Sequence, residues 1–434
     1  MNISIITLFP SLYEPFLQTS LIGRAVDKGL VAFDVQNLFS FAQAKERIDA
    51  AVYGHASGML IKPVIMQKAI EHQEEAHGPA YKIFFSPHGQ KLTQKGLENL
   101  AKQIQDKKHC MLLPARYEGM DARVEEHYAD MIISVGDFVL MGGDIPAMMV
   151  LEGVLRLIPG VVGKEESVQK ESFSGPFIDY PSYTEPVEWL GYRVPDVLRS
   201  GNHAAINNWQ KKEAIQRTLA GHFDWLRSMP LTKEEKKIVS GTIPPHYVAL
   251  MHSNVLIGNE KIEGTTSVTS LDIHDIARSA CTYGICHYFL VTPLIDQQKV
   301  VQTVLDFWHE GPGLPYNPNR SQAVKEVSVV DSLEAVIQQI EQKEGSRPLL
   351  IGTSAGSIDH AGAITFDDQK KVWEHQRPVL LIFGTGRGLS PALLQRMDYM
   401  LPPIMGLSDF NHLSVRSAAA VIFDRWLGLQ GPSN

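Results

Sequence analysis

The chain of 434 residues is short of cysteine, of positive charge and of long apolar runs. Cys110, Cys281 and Cys286 give an odd count without metal-type pairing, which argues against a disulfide-stapled secreted scaffold and against a cysteine zinc site. A formal net charge of −8 argues against a protein coated in cations for non-specific nucleic-acid binding. No apolar run reaches the length of a membrane span, and Met1-Asn2-Ile3-Ser4-Ile5-Ile6-Thr7 opens on a strand pattern rather than a cationic signal peptide. A cytoplasmic protein with no membrane partner is therefore expected. With 44% hydrophobic and 20% charged residues, the chain is long enough for two or three domains with substantial cores.

What is present is a repeated α/β pattern. Residues 1–161 alternate short apolar strands (Ile3 to Phe9, Lys82 to Phe85, Cys110 to Leu113, Met131 to Val135) with helical periods. Residues 162–175 carry Gly, Ser, Lys and Glu and read as a linker; 176–243 are polar and helical in period. After Pro244-Pro245 a second strand-first pattern fills 244–434, with strands at Tyr247 to Met251, His287 to Val291, Val327 to Val330, Leu349 to Ile351, Val379 to Phe383 and Tyr399 to Leu401. Between Arg193 and Lys237 nine Lys or Arg face five acids, a local excess that suits phosphate, although a solvated helical face is the plainer account.

The densest chemistry follows two buried-strand patterns. Arg116-Tyr117-Glu118-Gly119-Met120-Asp121 comes after Met111-Leu112-Leu113, and Gly136-Asp137-Phe138-Val139-Leu140-Met141-Gly142-Gly143-Asp144-Ile145-Pro146 after Met131-Ile132-Ile133. Polar groups at strand ends are where open α/β sheets bind ligands, and paired glycines let backbone approach a ligand closely. With Ser86-Pro87-His88-Gly89, Arg156-Leu157-Ile158-Pro159-Gly160-Val161, Leu8-Phe9-Pro10, Gly58-Met59-Leu60 and Ser200-Gly201-Asn202-His203, these segments resemble the bacterial tRNA (guanine-N1)-methyltransferases of the knotted SPOUT superfamily. The resemblance covers roughly residues 1 to 240, in a consistent order.

The resemblance implies a trefoil-knotted α/β domain that binds S-adenosyl-L-methionine through Phe84, Ser86, Pro87, Ala115, Glu118, Val135, Gly136, Asp137, Phe138, Val139, Leu140, Gly142 and Gly143. It implies methylation of N1 of the guanosine immediately 3′ of the anticodon in tRNA, by a homodimer with active sites between subunits and with Mg2+ dependence. Removing the N1 proton calls for a base and for stabilisation of the purine O6. The family uses an Asp-Ser-Phe aspartate as base and an arginine of Arg-x-Ile-Pro-Gly at the guanine; the matching positions are Glu171, in Glu171-Ser172-Phe173, and Arg156. The base position is thus one methylene longer here. The helical segment 176–243 is expected to bind tRNA.

The second half resembles the ribose-methylating branch of the same superfamily through Asp272-Ile273-His274-Asp275-Ile276-Ala277-Arg278-Ser279, Gly384-Thr385-Gly386-Arg387-Gly388-Leu389-Ser390 and Asn411-His412-Leu413-Ser414-Val415-Arg416-Ser417. The likeness implies a second knotted domain, with Thr353, Ser354, Gly384, Gly386, Gly388, Ile404 and Leu413 at the cofactor and Arg278 activating a 2′-hydroxyl. A structural helix arginine accounts for Arg278 as well, and capping or packing for Asn411, Ser414 and Arg416. Two other functions remain open at this point. One is a binding protein in which one or both knots hold cofactor and RNA without turnover. The other is a hydrolase using Ser354, since Gly352-Thr353-Ser354-Ala355-Gly356 fits a nucleophile elbow.

Overall fold

A computed structural model describes residues 1–54, 57–162 and 171–429, in two compact units, Met1–Ser174 and Gly175–Asn434. In the first unit β1 (Asn2–Thr7), β2 (Ala32–Asn37), β3 (Tyr81–Lys91), β4 (His109–Leu113) and β5 (Met131–Ser134) form a parallel sheet of order β2-β1-β4-β3-β5. The buried runs Ile3, Ile5, Ile6 and Cys110 to Leu113 have helices on both faces, which is why they read as continuous rather than alternating apolar strands. β2 escapes the apolar pattern because Ala-Phe-Asp-Val-Gln-Asn is a polar, half-buried edge.

The second unit repeats this plan. β6 (His246–Met251), β7 (His287–Val291), β8 (Val327–Val330), β9 (Leu349–Gly352), β10 (Val379–Gly384) and β11 (Tyr399–Met400) run parallel in the order β8-β7-β6-β10-β9-β11. The run β6-β10-β9-β11 has the connectivity of β1-β4-β3-β5: a later strand is inserted beside the first, and the next edge strand pairs with its predecessor but one. The helices expected in the polar middle segment form at His203–Gly221, Phe223–Arg227 and Lys233–Thr242, within this second unit. The last of these starts with a capping box in which Thr232 and Glu235 satisfy each other's backbone N–H.

Most of the expected linker, residues 163–170, lies outside the described residues. Among the described residues no helix is long and apolar enough to cross a membrane.

Candidate functional site

The carboxyl ends of β3, β4 and β5 open into a cavity of about 420 Å3. Each strand contributes an irregular segment. In β3 the register against β5 shifts between Phe85 and Gln90, so Ser86-Pro87-His88-Gly89 bulges out of the ladder. After β4 the chain turns through Tyr117 and Gly119, both with positive φ, into a helix (Ala122–Tyr128) capped by Asp121. After β5, residues 135–143 lead into a longer helix, Asp144–Leu155.

The Gly142-Gly143 turn is tied down from both sides. Gly143 N–H donates to Ala115 O at 2.7 Å. A Cβ on Gly142 would lie 2.4 Å from Arg116 Cδ, and one on Gly143 would lie 2.9 Å from Pro114 Cα, so only glycine allows this approach. Below the turn Asp144, 1% exposed, accepts from Thr7 Oγ1 at 2.6 Å, Tyr13 OH at 3.2 Å and Arg116 Nε at 2.7 Å. The Arg116 guanidinium also stacks 4.7 Å from the centre of the Phe9 ring. The buried Tyr13 hydroxyl is made much less acidic, by desolvation first and by Asp144 second.

Eleven of the expected cofactor residues line this cavity: Ser86, Pro87, Ala115, Glu118, Val135, Gly136, Phe138, Val139, Leu140, Gly142 and Gly143. Two do not. Phe84 is fully buried in the core; its neighbour Phe85, which points to the other face of the strand, lines the cavity. The Asp137 side chain is 87% exposed and pairs with Lys91 at 2.6 Å. Sequence reasoning missed a polar group on the wall, in which Ser86 Oγ meets His88 Nδ1 at 2.7 Å and His88 Nε2 lies 3.4 Å from Glu125 Oε2. Burial raises the Glu125 carboxyl above its ordinary range, partly offset by His88. His88 stood in a motif that was visible. Glu125 became recognisable only once its helix was seen to start at the cavity.

Arg156 and Glu171 stand apart from the cavity wall and together. Arg156 caps the far end of the Asp144–Leu155 helix, and its Nη2 donates to both carboxylate oxygens of Glu171, at 2.5 Å for Oε1. Both side chains are about one-third exposed.

The second unit distributes its expected residues differently. Thr353 Oγ1 donates to Ile382 O at 2.9 Å, and the Ser354 hydroxyl accepts from Gly356 N–H at 3.1 Å. Residues 353–364 contain no helix, so Ser354 lacks the strand–turn–helix setting of a nucleophile elbow, and the hydrolase reading is set aside. Gly384, Gly386 and Gly388 form a tight loop in which Arg387 N–H donates to Leu256 O and Leu256 N–H to Gly388 O. Ile404 is half-buried against the core, and Leu413 is 49% exposed. Asn411 donates to Ala355 O at 2.6 Å, and Ser414 caps the helix Val415–Leu427. Arg278 is exposed in a separate shallow groove that it shares with Arg416.

A parallel α/β unit with a backbone-lined cavity at its strand ends is the setting of a nucleoside-type cofactor. Residues 1–228 match the family described as "tRNA (Guanine-1)-methyltransferase TrmD", and residues 245–428 match "SAM-dependent RNA methyltransferase". A protein of Nitratidesulfovibrio vulgaris named tRNA (guanine-N(1)-)-methyltransferase is 39% identical over 434 residues, 99% of each chain. One of the same name from Oleidesulfovibrio alaskensis is 38% identical over the same share. A Bacillus licheniformis protein, also so named, is 42% identical over 242 residues, which are 55% of this chain and 98% of its own. The chain belongs to the tRNA (guanine-1)-methyltransferase family and carries a second methyltransferase region behind it.

Proposed function

We propose that the first unit methylates N1 of the guanosine immediately 3′ of the anticodon in tRNA, using S-adenosyl-L-methionine, with Glu171 as base and Arg156 steadying the purine. Family membership supports the reaction class, and one observation carries the residue roles: Arg156 and Glu171, separated by 15 positions, form a direct ion pair. Guanine N1 must lose a proton as it gains the methyl group. The Glu171 carboxylate accepts that proton, while the Arg156 guanidinium beside it stabilises charge developing on O6.

The cavity fits the cofactor in size and in kind. Its volume falls in the range of small-molecule sites, and Gly142 and Gly143 let its wall pack against residues 114–116 more closely than a Cβ would allow. When bound, the cofactor supplies an electrophilic methyl group on a sulfonium. Glu118 on the wall offsets its charge, and the backbone of 135–143 orients it. Among the described residues no group of three or more His, Cys, Asp or Glu would hold a metal ion, so no residue here is assigned to magnesium.

Pro146 lines the cavity and Arg156 lies ten residues on along one helix, about 15 Å at 1.5 Å per residue. Reacting atoms must come within about 3–3.5 Å, whereas neither member of the pair lines the cavity of its own chain. A homodimer in which one copy's pair meets the other's cavity removes the conflict. Val139 on the cavity wall and Met141 in the same loop, 85% and 89% exposed, and Ile145 and Met149 on the helix supply apolar surface for that contact. The trefoil knot belongs to the same reading, supported by the inserted strand order, as do the divisions 1–161, 162–175, 176–243 and 244–434 and a cytoplasmic location. The second unit is proposed to methylate RNA ribose, with Arg278 at the 2′-hydroxyl.

Nucleoside mass spectrometry of a tRNA transcript incubated with the protein and S-adenosylmethionine tests the main reaction. 1-Methylguanosine at the expected nucleotide is the result foreseen; its absence with correctly folded protein overturns the assignment.

A further inference from the structure

The helices after the first unit's linker are built into the core of the second unit. Ile215, Leu219, Phe223 and Leu226 lie within the region matched to tRNA (guanine-1)-methyltransferases, yet they share one hydrophobic cluster with Val248 and Leu250 of β6. The Phe223 ring meets Trp373 edge-on at 4.9 Å. Arg227 donates from Nε to Gly428 O at 2.7 Å, from Nη1 to Arg425 O at 2.9 Å and from Nη2 to Asp424 O at 2.8 Å. One guanidinium thus caps the last carbonyls of the helix Val415–Leu427, where a cation also complements the helix dipole.

Arg416, near the other end of that helix, faces Arg278 across a surface groove of about 500 Å3. Arg416 has only a loose contact to Asp272, at 4.0 Å, and among the described residues the Arg278 guanidinium makes no hydrogen bond or ion pair. Asp275 is the one acid on the groove. Two guanidinium groups with spare donors at an open polar groove suit phosphodiester oxygens. Arg416 lies about 18 Å along the helix axis from Gly428, whose carbonyl Arg227 holds. A double-stranded-RNA-binding domain covers about 16 base pairs, which is longer than this separation, so one RNA stem is long enough to run from the groove to the helices packed at the far end.

We propose that the Arg278–Arg416 groove contacts phosphates of the same tRNA molecule that the 203–242 helices hold, so that the RNA substrate of the second unit is that tRNA. The inference rests on the reading of the 176–243 segment as tRNA-binding.

The test uses the full chain and a fluorescent tRNA transcript, with affinity measured by anisotropy between about 50 and 200 mM salt. R278A/R416A is expected to weaken binding several-fold and to reduce the salt slope by up to about two. R278K/R416K, which keeps both charges, is expected to retain the slope. An unchanged slope in the alanine pair overturns the proposal, as does an equal loss in the lysine pair or a loss seen only with an unrelated single-stranded RNA. K212A/R217A separates the two layers of the argument: if it leaves the slope intact while R278A/R416A lowers it, the proposal that helices and groove hold one tRNA is overturned and only the groove remains as a tRNA contact. A lowered slope without 1-methylguanosine from the wild-type protein leaves the groove standing and refutes only the proposed methylation.

Discussion

Replacing Asp144 by alanine removes an acceptor shared by three donors beneath the Gly142-Gly143 turn. Thr7, Tyr13 and Arg116 reach it at 2.6, 3.2 and 2.7 Å, and both Tyr13 and Asp144 are essentially inaccessible to water. Breaking a buried ion pair by removing one partner costs about 3–5 kcal/mol. The Arg116 side chain is 22% exposed and regains some hydration, which places D144A near the lower end, about 3 kcal/mol. D144N keeps the shape and one acceptor oxygen, and should lose less. The assay is urea unfolding of the full chain, read on the transition of the first unit, with calorimetry of S-adenosylmethionine binding alongside. Because Arg116 and the turn are in contact, cofactor affinity should fall together with stability. A D144A loss below about 1 kcal/mol, with cofactor affinity unchanged, would refute the view that this network holds the turn in place.

Three further outcomes are expected. E171Q should remove most N1-methylation while leaving cofactor and tRNA affinity near wild type, and E171D should keep or raise the rate, since it restores the family's side-chain length; methylation by E171Q at the wild-type rate would make Glu171 an ordinary acid. G143A puts a Cβ 2.9 Å from the Pro114 backbone and should cost about 1–3 kcal/mol with weaker cofactor binding, both readable by thermal shift with and without ligand. The raised Glu125 carboxyl binds its proton more tightly folded than unfolded, so it lowers stability as pH rises from the ordinary glutamate range through the raised value; E125Q should therefore melt higher than wild type at pH 7.5, with the gap closing near pH 4. No difference at pH 7.5 would show that His88 offsets the burial completely.

Parallel-strand cores were legible because burial on both faces leaves unbroken apolar runs, as at Cys110 to Leu113 and Val379 to Phe383. The cavity wall was legible through the resemblance, down to Gly142 and Gly143. Core membership was harder to read. Pro244-Pro245 punctuates the chain, yet Ile215 and Leu219 before it and Val248 after it share one cluster, because a backbone break says nothing about which apolar faces meet. Arg227 illustrates the same limit: a basic residue in a basic stretch suggested phosphate, but the structure commits its guanidinium to three carbonyls at the end of a helix nearly two hundred residues away.

The two units raise the same question about where their chemistry is completed. Each keeps its glycine-rich segments at the carboxyl ends of neighbouring strands, β3 to β5 in one and β9 and β10 in the other. In each, the arginine expected to act on RNA lies outside the cavity or loop those segments build: Arg156 at the far end of a helix, Arg278 in a separate groove. In the first unit Arg156 and Glu171 do not line their own chain's cavity, and the proposed homodimer would bring them to a second copy's cavity. Mixing E171Q chains with chains disabled at the cavity by G143A examines this directly. If sites form between copies, the mixed dimer contains one site with an intact cavity and an intact base, and an equal mixture that pairs at random should recover towards about a quarter of wild type. If each chain works alone, every site is defective and the mixture stays as inactive as its components.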